Sequence, residues 1–212
     1  MRFEEVEARL ESLAWADGIL PPGPDVLMPV LTDGRERIRR DAPPSAREAA
    51  VLVLLFPDEA GAAHLVLTER VTYEGHHSGE VSFPGGKSEP ADADASATAL
   101  REAAEEIALD PIAAGVRVVG SLEAVWIPVS DFRITPIVAV AERRPLLAAE
   151  PGEVARILEP AVSAFLPDAP IEVVKRTVRG WPLRYGGYSI EGLHVWGATA
   201  RILGQLGAII GD

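Results

Sequence analysis

Apolar residues return at two different intervals along the chain, and the interval sorts each stretch into an element. Near the N-terminus Phe3, Val6, Leu10 and Leu13 recur every three or four positions, predicting an amphipathic helix that Gly18 ends. The proline-rich segment 20–31 is expected to cross the surface, and the basic stretch that follows reads as a plain linker. "AAVLVLLFP" (49–57) is almost continuously apolar, the pattern of a buried strand, and "HLVLTER" (64–70) forms a second strand after the turn "DEAGAA". A glycine-rich loop and a helix come next. "VRVVGSLEAVW" (116–126) and "FRITPIVAVAER" (132–143) then alternate as strands do, and 145–167 reads as a loop, a strand and a short helix. "IEVVKRTVRG" and "LRYGGYSIEG" form a hairpin around "WPLRYGG". The last element is a helix over "HVWGATARILGQLGAII" (194–210), with Trp196, Ala200, Ile202, Leu203 and Leu206 on or near one face.

Hairpins mixed with helices, without regular β-α-β alternation, predict an α/β sandwich: a mixed β-sheet between helices. With 212 residues, 48% hydrophobic and 25% charged, the chain suits a single globular domain over 1–212, carrying a helical and proline-rich extension over about 1–45. The net charge of −12 repels phosphate backbones, so nucleic acid is excluded as a main partner and any anionic substrate needs local Arg or Lys or a bound cation. No cysteine is present, which removes thiolate chemistry and Cys-ligated zinc. The acidic N-terminus is unlike a secretory signal, and the longest apolar run falls short of a membrane span, so a cytoplasmic location without membrane attachment is expected.

The candidate chemistry lies in "FPGGKSEPADADASATALREAAEEIALD" (83–110). On a helical wheel Leu100, Ala103, Ala104 and Ile107 share an arc of roughly 100°, and Glu102, Glu105 and Glu106 share the opposite one. One reading is a solvated acidic face. The other is a metal site: no lysine interleaves the acids, and the two glycines just upstream let backbone approach a ligand closely. Carboxylates with backbone carbonyls suit Mg2+ or Mn2+, which prefer hard oxygen donors. Arg101 lies four residues before Glu105 and can pair with it. Glu89, Asp92 and Asp94 near the helix start favour the helix dipole.

These residues resemble the Nudix box, in which a glycine and an upstream acid precede Arg-Glu-x-x-Glu-Glu. "LVLTERVTYEGHHSGEVSFPGG", "SDFRITPIVAV", "EPGEVARILEPAVSAFL" and "VWGATARIL" are similar to the coenzyme A pyrophosphatase branch of that superfamily, so the likeness runs over about 49–206. The resemblance implies a Nudix-like α/β/α sandwich and Mg2+- or Mn2+-dependent hydrolysis of the pyrophosphate bond in a small-molecule nucleotide. Coenzyme A or an acyl derivative is the first expected substrate. ADP-ribose or another dinucleotide is the alternative, and a non-catalytic nucleotide-binding domain is a third reading. It implies that Glu102, Glu105, Glu106 and the Gly86 carbonyl hold metal, that Glu102, Glu105 and Arg101 form the catalytic set, and that Arg70, Gly85 and Lys87 meet substrate. Glu102 is the first choice of base and Glu153 its rival. The sequence departs from the pattern at Ala93, where the box has its acid, and at Ala108, where it has glycine. A left-handed end to the helix at Ala108 would cost on the order of 1 kcal/mol. Upstream, Glu74-Gly75 replaces a Leu-Arg pair and Glu80 a glutamine, which motivates the ADP-ribose alternative.

Other residues carry less. His76 and His77 have no third histidine at ligand spacing and read as loop packing, and Ser78 is not in a nucleophile elbow. Trp126 and Phe132 stand where an aromatic could stack on a base, although such rings are commonly core. Trp181, Tyr185 and Tyr188 are candidates for a homodimer surface.

Overall fold

The computed structural model describes residues 1–13, 15, 19–33, 42–71, 79–178 and 180–211. Gly18, most of the basic stretch after residue 33, and Glu74, Gly75, His76, His77 and Ser78 lie outside them. The chain begins with α1 (Phe3–Glu11), β1 (Val30–Leu31), β2 (Arg47–Pro57), β3 (Ala63–Leu65) and β4 (Leu67–Arg70). β5 (Val81–Ser82), β6 (Gly85–Lys87), α2 (Ala95–Ile107) and α3 (Pro111–Ala114) follow, then β7 (Val116–Ser121), β8 (Val125–Ile127) and β9 (Phe132–Ala141). The chain closes with β10 (Val154–Leu158), β11 (Glu172–Val178), β12 (Trp181–Ile190), β13 (Leu193–Val195) and α4 (Gly197–Gly211).

β2 organises the molecule because it is apolar on both faces. Ala50, Leu52, Leu54 and Phe56 point to one side, where they pack with Ala99, Ala103 and Ile107 of α2. Val53 and Leu55 point to the other and join Phe3, Val6 and Leu10 of α1 with Leu203 and Leu206 of α4. The period of two that alternates side chains along a strand thus divides one hydrophobic run between two cores. β9 runs parallel to β2, Leu52 beside Ile137 and Val53 beside Val138, and splits in the same way. Parallel neighbours require a long crossover, and that crossover carries β6 and α2. The central sheet has the order β3-β2-β9-β7, with β6 on β2 and β8 on β9. Two smaller sheets, β10-β4-β5 and β1-β12-β11 with β13, extend the walls. This is the expected α/β/α sandwich with a mixed sheet.

The β11–β12 hairpin forms as expected, though its turn comes at Gly180 (φ +80°), so "WPLRYGG" lies inside the strand. Five other expectations are corrected. The apolar stretch at 64–70 breaks at Val66 into strands of two different sheets, and 116–126 breaks between β7 and β8. Continuous hydrophobicity hides the first break, because each half has a core to face; in 116–126 the alternation of apolar and polar residues runs on through Leu122 and Glu123 and hides the second. The segment 20–31 does more than cross the surface: Leu27 is buried against the α1–α4 core. Trp196 precedes α4, since His194 and Val195 are held in β13 by Ser189 and Tyr188 of β12. Tyr185 and Tyr188 are each 2% exposed, so they belong to the core and offer no surface for a second copy. No helix among the described residues is long and apolar enough to cross a membrane.

Candidate active site

Local sequence sets both ends of α2. The Asp94 carboxylate accepts from the Ala97 N–H at 2.9 Å and caps the first turn. At the other end Ala108 sits in the left-handed region (φ 52°, ψ 34°), and its N–H and that of Leu109 turn back to the Ala103 carbonyl. The burial of the helix is rotated from the wheel. Thr98, Ala99, Ala103, Glu106 and Ile107 are buried, Leu100 is half-buried and Ala104 is exposed. Glu106 is only 3% exposed, which corrects the expectation of an acidic face that is wet throughout. Its burial is possible because Glu106 Oε2 accepts from the Gly85 N–H at 3.0 Å and Oε1 lies 3.4 Å from Arg70 Nη1.

Gly85 and Gly86 have steric reasons to be glycine. Gly85 has φ +153°, and a Cβ there would lie 2.6 Å from the Cα of Val51. A Cβ on Gly86 would collide with the Glu102 carboxylate. β6 pairs with Ala49–Val51 of β2, so a strand without side chains is pinned between the sheet edge and the helix acids.

Arg101 is the hub of the acidic group. Its Nε and Nη2 donate to the two Asp92 oxygens at 3.0 and 3.1 Å, and Nη1 reaches Glu102 at 2.9 Å and Glu105 at 3.3 Å. Nη2 also donates to the Lys87 carbonyl at 3.1 Å, tying the helix to the glycine strand. Asp92 accepts further bonds from the Glu89 N–H and the Thr98 hydroxyl, both at 2.9 Å. The Arg101 guanidinium and these donors hold the Asp92 carboxyl well below its ordinary range. Of the two acids that flank Ala93, where counting back along the box puts the upstream acid, Asp92 is the one that pairs with Arg101. The sequence offers Asp92 and Asp94 on either side of that place and does not choose between them.

Glu106 and Glu102 are pushed the opposite way. Burial raises Glu106 to about 7, with Glu102 and Glu153 adding to it and the Gly85 N–H and Arg70 opposing. Burial also raises Glu102, against Arg101 and with help from Glu105 and Glu153. Glu153 is brought to this cluster by the backbone: the Glu150 N–H caps the Glu106 carbonyl at 2.8 Å, and the Glu153 carbonyl accepts from Val71, next to Arg70, at 3.0 Å. Acids that repel one another in a partly desolvated place are the donor chemistry that a hard divalent cation relieves. As they stand, no three acidic or imidazole side chains among the described residues enclose a site for an ion. Arg101 holds oxygens of Glu102 and Glu105, so a cation would compete with it for them.

A cleft of about 890 Å3 opens on the other side of the glycine strand. Gly85, Gly86, Lys87 and Arg70 line it, whereas Glu102, Glu105 and Glu106 stand behind the strand. Arg70 belongs to both sides: it lines the cleft and its guanidinium lies 3.4 Å from Glu106. Lys87 is exposed at the rim and touches the acidic group through its carbonyl. Across the cleft lie residues that no local spacing in the sequence brings together, among them Phe132, Trp181 and Trp196.

A family model described as the NUDIX domain matches residues 46–161. Nudix hydrolase 15, mitochondrial, of Arabidopsis thaliana is 36% identical over 163 residues, covering 74% of this chain and 56% of that protein. Nudix hydrolase 22, chloroplastic, of the same plant is 35% identical over 173 residues, covering 77% and 55%. The chain thus spans little more than half the length of these plant relatives. The "Uncharacterized Nudix hydrolase NudL" of Salmonella paratyphi B is 36% identical over 171 residues, covering 78% of this chain and 83% of that protein. A crystal structure of the M. smegmatis Nudix hydrolase RenU aligns with a TM-score of 0.47 at 21% identity, over 64% of this chain and 80% of that one. The matched stretch contains β2, the glycine strand, α2 and the loop of Glu153, which are the elements that position the carboxylates, and the chain belongs to the Nudix hydrolase family.

Proposed function

We propose that this protein hydrolyses the pyrophosphate bond of a nucleoside diphosphate derivative to two phosphate monoesters, with coenzyme A or acyl-coenzyme A as the first substrate to test. The observation that carries the reading is the glycine strand itself: acids on one side, a substrate-sized cleft on the other, and Arg70 reaching both.

In this reading Mg2+ or Mn2+, held by Glu102, Glu105, Glu106 and the Gly86 carbonyl, supplies charge neutralisation for the diphosphate and acidifies the attacking water. The remaining roles fall to the chain. Arg70 and Lys87 bind phosphate oxygens at the cleft rim. Gly85 and Gly86 let the phosphates approach backbone without obstruction. At the edge of the glycine strand, where the Glu102 carboxylate lies against Gly86, Glu102 takes the proton of the attacking water as the water oxygen bonds to phosphorus, and the P–O bond to the other monoester breaks. Glu102 suits this part because burial already favours its protonated form. Glu153 is the rival for the same proton, because its charge acts on both Glu102 and Glu106. Arg101 acts as a positioning group: its guanidinium is occupied by Asp92, Glu102 and Glu105.

One observation favours ADP-ribose or another dinucleotide as the alternative. Glu80, where the coenzyme A branch has glutamine, lines the cleft and adds an acid beside Arg70. Turnover of coenzyme A, acetyl-coenzyme A and ADP-ribose with Mg2+ or Mn2+, scored for monoester products, decides. Coenzyme A cleaved well ahead of ADP-ribose is the expected result, and the reverse order selects the alternative. A chain that turns over none of the three is not the enzyme proposed.

A further inference from the structure

Phe132 begins β9 at the cleft wall and is only half-buried, a setting that neither a core role nor the diphosphate chemistry accounts for. The Arg47 guanidinium carbon lies 4.0 Å from its ring centroid. Arg47 does not line the cleft while Phe132 does, so the cation backs the ring and leaves aromatic surface toward the cavity. Arg47 is itself fixed: its guanidinium donates to the Ser130 carbonyl, and its N–H donates to the Asp131 carbonyl at 2.9 Å. The turn that delivers Phe132 is held as well. Asp131 takes φ 52°, a conformation unusual for a residue with a side chain, and its carboxylate accepts from Trp126 Nε1 at 3.2 Å. In the β8–β9 register Ile127 is opposite Phe132 and Trp126 opposite Arg133, so Trp126 leaves its strand on the other face from Phe132; it borders the cleft as well, and its indole N–H braces the turn.

The ring also lies at a useful distance from the glycines. Gly86 pairs with Ala50, and Arg47 with Phe132, so three residues along β2 and two strand steps separate them. Strand geometry makes that about 14 Å between backbone positions, shortened by the inward reach of the Phe132 side chain. A ribose and its base fill such a gap when the diphosphate rests at the glycine strand.

We infer that Phe132, backed by Arg47, is the stacking platform for the nucleobase of the substrate, a specificity-determining contact of the same cleft; this rests on the proposal that the diphosphate lies at Gly85 and Gly86. Stacking uses the π-face common to all bases, so the platform selects nucleotides over other diphosphates and discriminates weakly among purines.

Calorimetric binding of ADP and of inorganic pyrophosphate, without added metal, tests it on the full chain. Phe132→Leu keeps apolar bulk without the ring. It is expected to weaken ADP about 5- to 100-fold and leave pyrophosphate unchanged, while Phe132→Tyr binds ADP as the wild type does. Equal weakening of both ligands, no weakening of ADP, or no ADP binding by the wild type would overturn the inference. A second measurement needs no variant: magnetisation transfer between the adenine protons of bound ADP and the Phe132 ring is expected, and its absence overturns the assignment. Neither readout requires turnover, so a chain that stacks ADP on Phe132 yet cleaves nothing would remove the hydrolase proposal and leave the platform standing.

Discussion

Glu106 meets two requirements: it receives the Gly85 N–H, and it lends charge to a cluster that repels it. Glutamine preserves the first and removes the second. Glu106→Gln is therefore expected to fold normally, with turnover reduced at least about 100-fold. Alanine leaves the Gly85 N–H and Arg70 without that partner and is expected to cost about 1–3 kcal/mol in denaturant unfolding as well. Near-normal turnover in the glutamine variant would take Glu106 out of the metal set. Asp92 makes a different prediction. Its carboxyl titrates below the ordinary 3.8, so its contribution to stability is present above that value and is lost as pH falls through the lower native one. Asp92→Asn should be less stable than wild type at neutral pH, and the gap should close only below about pH 4, as unfolding midpoints across pH would record. The sequence displayed Glu89, Asp92 and Asp94 as three similar acids near a helix start. Only the fold separates them, into an Arg101 partner, a helix cap and a loop residue whose N–H serves Asp92.

Elements were legible where one physical demand ruled them. The end of α2 at Ala108 is such a case, and Ala108→Gly is expected to relieve the left-handed strain, raising stability by about 1 kcal/mol. For a chain of this length that is a rise in Tm of about 2–4 °C, with turnover unaffected. The glycine strand gives the opposite test. In Gly86→Ala the new methyl group occupies the space of the Glu102 carboxylate, so turnover is expected to collapse while the unfolding midpoint changes little, which kinetics beside a melting curve would check. Elements were less legible where two demands overlapped. The apolar run around Val66 reads as a single strand because each of its halves faces a core. The wheel placed Ala104 inside and Glu106 outside because periodicity knows nothing of a backbone donor waiting beside the helix.

At the scale of the molecule, the sandwich followed from hairpins mixed with helices along the chain, but the cleft did not. Its walls come from β1, β6, the β8–β9 turn, the β11–β12 hairpin and the start of α4, segments far apart in sequence whose meeting depends on the pairing of sheets. The acids stand in a chain whose net charge is already −12, so a divalent cation binding at α2 stabilises the whole folded state by mass action. Millimolar Mn2+ is expected to raise the Tm of the wild type and to leave a Glu102→Gln, Glu106→Gln double variant unmoved. Equal shifts in the two proteins would mean that the ion binds elsewhere.

The bare backbone of Gly85 and Gly86 has an evolutionary consequence. With the sheet closing on one glycine and Glu102 on the other, nothing can be added to that partition, so it offers no position at which preference for one nucleotide over another can be tuned. In the proposed enzyme, selectivity then falls to the opposite bank, where Phe132 and Trp181 stand clear of the acids and can change without disturbing them.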